Sequence, residues 1–278
     1  MKRQPHIIAH TFKAWKAADP ATTGAALAYY LLFSLPTAFI LALAVAGLLV
    51  SPDLVEKRLI NELTILFGSQ ASSAIRTLIT EIRQPGTSIV VSIIGLISVL
   101  WGSIGAFGQL QTSMKKIWEV KEDANPGILT VIKERVAAIL IVIMLGFLLS
   151  ASFMASTIVT LFGTALSKYV QNIESIINLA NLGLSIMILT GMFVLLYIAL
   201  PAQKIKWRAA IFGGIMTSFL FMAGKFVMGW YLASGFASSG YGAVSTITVL
   251  LVWAYITAQI FIVGAAITHV IDQKLDRA

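Results

Sequence analysis

The chain has no cysteine, and that absence removes disulfides, thiolate metal sites, thiol nucleophiles and palmitoylation together. Charge is also sparse. Only 12% of the 278 residues are Asp, Glu, Lys or Arg, about half the share of a soluble domain. Three histidines occur: His6, His10 and His269. His6 and His10 have the i, i+4 spacing of a metal pair, but no third ligand accompanies them, so a solvated helix face is expected and no metal or cofactor. The twelve acids fall in loops, end turns and tails, and no paired carboxylates, phosphate loop or nucleophile–base set can be assembled from them. An enzyme is not expected. Nor does a short apolar stretch with a small-residue cleavage site follow the basic opening Lys2 and Arg3, so the N-terminal segment does not read as a signal peptide.

What fills the chain instead is apolar sequence, 58% of residues. Six segments are each long enough to cross a hydrocarbon core of about 30 Å at about 1.5 Å per residue. They run from Ala25 to Val50, Ser88 to about Gln111, about Val136 to Phe162, Ile176 to Leu200, Trp207 to about Leu232, and Ala243 to about Val270. Pro36 predicts a kink in the first. The expected fold is an all-α membrane protein, a bundle of six transmembrane helices.

The net charge of +8 is a topology signal rather than a nucleic-acid signal. Fourteen of the 20 Lys and Arg gather on the side that includes the N-terminus, five lie on the other, and Lys225 falls inside a span. The positive-inside rule then puts both termini in the cytoplasm. Residues 1–20 read as a basic cytoplasmic interfacial helix, with Ile8, Phe12 and Trp15 on one face and Lys13 and Lys16 on others. Residues 21–278 form the six-helix domain. Its external loop, 51–87, is itself helical, since Val55, Leu59 and Leu63 share one face and Ile75, Leu78, Ile79 and Ile82 repeat the pattern. The last external loop, Ser234 to Gly242, is mostly Gly, Ser and Ala and reads first as a flexible turn, second as a mobile gate.

Two small-residue stripes predict close helix packing: Ser98, Gly102 and Ala106 in the second span, and Ala210, Gly214 and Ser218 in the fifth. Gly105 and Gly108 thin the neighbouring stripe. Trp118, Trp207, Trp230 and Tyr231 suit aromatic belts at the span ends, whereas Trp101 and Trp253 sit mid-span and are expected to pack inside the bundle rather than form a ligand cage.

With these residues in view the chain resembles the BrkB/YihY family of bacterial inner-membrane proteins. The resemblance rests on Asp19, Ala25-Ala26-Leu27-Ala28-Tyr29-Tyr30 and Ser34-Leu35-Pro36, then Gln109-Leu110-Gln111 and Lys116-Ile117-Trp118. It continues through Pro126-Gly127, Arg135, Gly146-Phe147-Leu148-Leu149, Pro201, Lys204, Trp207-Arg208, Lys225 and Tyr231. Tyr241-Gly242, Trp253-Ala254-Tyr255 and Gly264-Ala265 close it. The family commonly has a glutamate where this chain has Ala266. The resemblance implies six helices and an inner-membrane location. A ribonuclease label long attached to members does not suit this chain, because phosphodiester cleavage needs metal-binding acids or clustered histidines and lysines.

Two functions remain open. The first is transport of a small solute or lipid through a cavity in the bundle, with Lys225, Tyr241, Gln109, Gln259 and Tyr255 as ligand-binding residues for an anionic or zwitterionic solute or lipid headgroup. The second is a lipid-binding scaffold or assembly factor, in which the same polar residues join helices. Membrane lipids are the expected partners; nucleic acid is not, and a homo-oligomer is compatible with the small-residue stripes.

Overall fold

The structure, a computed structural model, describes residues 7–30, 60, 89–120, 144, 148, 155, 159, 173–201, 203–233 and 243–276. Every described element is a helix. They are α1 (Ile7–Ala17), α2 (residues 20–30), α3 (Ile89–Ile117), α4 (Ile173–Ala199), α5 (Trp207–Ala233) and α6 (Ala243–Asp276). Among the described residues, the stretches long and apolar enough to cross a membrane are Ser175–Ala199, Trp207–Trp230 and Leu250–Asp276. Pro36, the external loop 51–87 apart from Ile60, the third span apart from four single residues, and Tyr241 lie outside the described residues.

Several helices outrun their apolar cores. The expected end of the second span, near Gln111, becomes Ile117, and α6 passes Val270 to reach Asp276. Hydropathy falls before the helix does, because backbone hydrogen bonding does not require apolar side chains. The end of α3 is set by local geometry. Val120 N–H donates to Lys115 O at 2.9 Å and Glu119 N–H to Lys116 O at 3.3 Å, with Glu119 at φ 52°. That is a Schellman cap with glutamate in the left-handed position glycine usually fills, and Lys115 and Lys116 lie beside the negative end of the helix dipole.

By its contacts the chain forms two units. One comprises Met1–Ala18, Met114–Leu220 and Phe261–Ala278; the other comprises Asp19–Ser113 and Phe221–Ile260.

In the first unit, α5 presents two stripes of small residues to two neighbours. Gly214 and Ser218 face α4, and both are buried, as is Ala210. A side chain added at Gly214 would stand 2.6 Å from Val194 Cγ2 and 3.1 Å from Thr190 O, so the two backbones nearly touch. Thr190 Oγ1 donates to Ser218 Oγ at 3.0 Å, and Ser218 in turn donates to Gly214 O at 2.9 Å. On the adjoining face, Gly213 lies against Thr268 of α6, and Gly264 of α6 lies against Thr217 and Tyr197. Tyr197 is fully buried; its hydroxyl lies 3.0 Å from Phe261 O and 2.8 Å from Thr217 Oγ1, which is also 2.7 Å from Gly213 O. Two hydroxyl protons thus serve three contacts. In lipid such packing, rather than burial from water, holds helices together, and each interhelical hydrogen bond adds about 0.6 kcal/mol, at most about 1.7.

Polar groups at one end of the same unit fix the start of α5. Lys206 N–H donates to Asp272 Oδ1 at 3.1 Å, while Lys206 O accepts from Ala209 and Ala210 N–H at 2.9 and 3.1 Å. Asp272 thereby places a carboxylate at the positive end of α5. Lys206 Nζ reaches Leu275 O at 2.6 Å and Asp276 Oδ1 at 2.7 Å.

Candidate functional site

The second unit gathers three of the five residues expected to bind ligand. The chain leaves α1 through Asp19, in the left-handed region at φ 47°, and Pro20 then opens α2, where proline is well tolerated. Around this first turn the polar side chains converge. Thr23 Oγ1 is buried 3.1 Å from Ser113 Oγ. Because Ser113 spends its proton on Gln109 O at 2.8 Å, Thr23 is the donor between them, and it accepts the Gln109 amide at 3.4 Å. Gln259 Nε2 donates to Pro20 O at 2.6 Å. Gly24 lets α2 lie directly on α6: a side chain there would meet the Gln259 amide and stand 2.8 Å from Tyr255 Cε2.

Gln109 and Gln259 therefore do structural work on α2, while Tyr255 keeps an exposed edge. Thr23 and Ser113 complete the cluster and were not singled out from the sequence.

Lys225 is half-buried on α5. It shares a face with Phe221 and Met228, both buried, whereas Phe226 (81% exposed), Val227 and Trp230 (74%) point away. Phe221 meets the buried Trp253 edge-on at 5.5 Å, and Gly224 abuts Ile256 and Ile260.

Farther along α2, Tyr29 and Tyr30 meet Trp101 of α3. The centroids are 5.8 Å apart for Tyr29–Tyr30, 6.2 Å for Tyr29–Trp101 and 5.7 Å for Tyr30–Trp101, and the rings cross at 71°, 81° and 69°. Gly105 makes room, since a side chain there would strike the Tyr30 ring; a Cβ added at Gly108 would meet no described residue within 4 Å. Of the other stripe in this helix, Gly102 is buried and Ala106 half-buried, and the Ser98 side chain lies outside what is described.

Two tryptophans exchange the roles expected of them. Trp101, expected inside the bundle, is 54% exposed beside Tyr29. Trp118, expected in an aromatic belt, is 5% exposed and belongs to the first unit, where it lies edge-on to His269 at 5.2 Å. Trp118 is still held by a helical bond to Met114 O, and the end of α3 buries it together with Met114 and Ile117. Trp207 and Trp230 are exposed, as a belt requires. His269 is buried too, bonded through Nε2 to Gln273 at 2.9 Å, and its Nδ1 has no hydrogen-bond partner among the described residues.

Comparison with known proteins agrees with a helical membrane architecture. A UPF0761 membrane protein of Pseudomonas aeruginosa (strain LESB58) is 26% identical over 268 residues, which are 94% of this chain and 61% of the relative. One from Alkalilimnicola ehrlichii is 25% identical over 185 residues, 66% of this chain and 40% of that protein. One from Idiomarina loihiensis is 33% identical over 82 residues, 29% of each chain. The chain thus covers less than two thirds of the length of these relatives. No solved structure matches it. The family profile described as Virulence factor BrkB matches residues 11–278, and the chain is a membrane protein belonging to that family.

Proposed function

We propose that this protein carries a small anionic or zwitterionic solute, or a lipid headgroup, through a polar cavity in a bundle of six transmembrane helices in the bacterial inner membrane. The observation that carries the reading is the face on which Lys225 sits. An ammonium inside a span costs about 2.5 kcal/mol or more at mid-membrane. A lysine serving only the lipid boundary would be expected among Phe226, Val227 and Trp230. It shares the buried face of Phe221 and Met228 instead. On that face it can contact a phosphate or carboxylate group inside the bundle. Tyr255, half-exposed beside the polar first turn of α2, is a second ligand contact, and Tyr241 is a third, placed by its sequence alone.

Flux of osmolytes and of fluorescent lipids into reconstituted vesicles tests the proposal. Lys225→Met should fold as the parent and lose flux, and Lys225→Arg should keep part of it. Undiminished flux in Lys225→Met sinks the assignment.

The scaffold reading has one specific support: Gln109 and Gln259 are committed to Thr23 and Pro20, as interhelical glue would be. Vesicles that show no flux of any solute, with lipid still bound, would favour it. Both termini are proposed to be cytoplasmic. A cysteine at Ser69 and one at Ala124, introduced singly into this cysteine-free chain, should label from opposite sides of the membrane. No catalytic role is part of the proposal, and the purified protein should cleave no RNA.

A further inference from the structure

The three apolar residues of the α1 face do not share one environment. Ile8 is 81% exposed and Phe12 59%, whereas Trp15 is half-buried with its indole nitrogen out of solvent, and Ala18, just past the helix, is fully buried. Turning about the axis at 3.6 residues per turn, the half-buried Thr11, Ala14 and Trp15 come first, then Ile8 and Phe12, then Lys16 and Lys13, both exposed. The helix is tied to the protein along one edge and presents an uncovered apolar strip with a cationic margin. It contains no acidic residue, and neither lysine has an ion-pair partner among the described residues. The opening of α5, in the same unit, repeats this chemistry. Lys204 and Arg208 are exposed without such a partner and Trp207 is 67% exposed, while Lys206 is taken up by Asp276.

We propose that α1 docks on anionic lipid, with Ile8 and Phe12 entering the acyl boundary and Lys13 and Lys16 lying on headgroup phosphates. Charge complementarity selects this occupant. A second copy docking by the same face would bring its own Lys13 and Lys16 against these two, and like charges repel. A helix with one apolar strip and a basic margin fits where acyl chains and phosphates adjoin. Each lysine near an anionic surface strengthens binding about fivefold, so the pair supplies selectivity for charged over neutral lipid. The lipid here is a standing partner in the surrounding leaflet and not a transported ligand, so the inference stands apart from the transport reading.

An environment-sensitive dye on a cysteine introduced at Ala9, an exposed residue between the two lysines around the helix, reports docking in the full chain reconstituted into vesicles. In phosphatidylcholine vesicles that contain phosphatidylglycerol, the dye should be quenched by nitroxide-bearing lipid and shielded from aqueous iodide. The docked-to-free ratio should fall about tenfold in phosphatidylcholine alone. It should fall likewise in molar salt, where charges are screened beyond about 3 Å, a change that needs no further substitution. Lys13→Gln with Lys16→Gln should lower the ratio about 25-fold when phosphatidylglycerol is present and leave it unchanged when it is absent. Phe12→Ser should lower it in both. A ratio indifferent to phosphatidylglycerol, salt and the lysines overturns the proposal. So does dye self-quenching that rises with the protein-to-lipid ratio at fixed lipid composition, which would assign the strip to a second copy.

Discussion

The two units of this protein use polar residues in opposite ways. In the first, hydroxyls sit at glycine notches and satisfy one another across helix contacts: Tyr197 with Thr217 and Phe261 O, Thr190 with Ser218. In the second, Thr23, Ser113, Gln109 and Gln259 are likewise spent on one turn of α2, but Tyr29, Trp101 and Tyr255 keep exposed aromatic surface and Lys225 carries a charge. Membrane helices with little hydrophobic drive between them need close backbones to associate, and the first unit supplies that closeness. The second has chemistry beyond what cohesion requires.

Substitutions at the helix contacts sharpen or break this contrast. The largest effect is expected at Gly264→Val, whose added carbons would overlap Thr217 and Tyr197 in a site that cannot relax. Overpacking of this kind costs about 3 kcal/mol or more, and the solubilised protein should melt well below the parent or fail to fold. A normal melt would mean that the first unit is looser than its contacts imply.

Next comes a pair of alanine substitutions. Gly214→Ala meets the Thr190 backbone carbonyl and Val194, so about 2 kcal/mol should be lost. Gly24→Ala meets side chains only, the Gln259 amide held on Pro20 O and the edge of Tyr255. It should cost about 1 kcal/mol, the lower end of the overpacking range, and lower flux by displacing Tyr255. Equal melting shifts for the two would erase the distinction between the units.

Tyr197→Phe should cost about 1 kcal/mol, the range of a buried interhelical hydrogen bond. Thr217 keeps Gly213 O as acceptor and little cavity is made, so flux should be unaffected. The smallest effect is expected at Gly108→Ala. No atom lies near that position, and the gain in helix propensity is up to about 1 kcal/mol. Destabilisation at this site would reveal a packing partner beyond the described residues.

Much of this was legible in the linear order of residues. The α4, α5 and α6 spans follow from local composition and period, and the family follows from the motif residues that resemble it. A helix needs only its own backbone, and small residues four apart must share a face. Which aromatic was buried was not legible. Position along the span predicted Trp101 inside and Trp118 at a belt, yet Trp118 packs edge-on to His269 and Trp101 stands exposed beside Tyr29. The roles of Gln109 and Gln259 were equally hidden, because their partners lie 86 and 239 residues away. The amino-acid sequence by itself determined that the chain is helical, apolar and membrane-bound, since those properties depend on each segment's own side chains. Only the tertiary structure decided which polar and aromatic groups hold helices together and which stand open to a ligand, because that depends on what another segment brings within 4 Å.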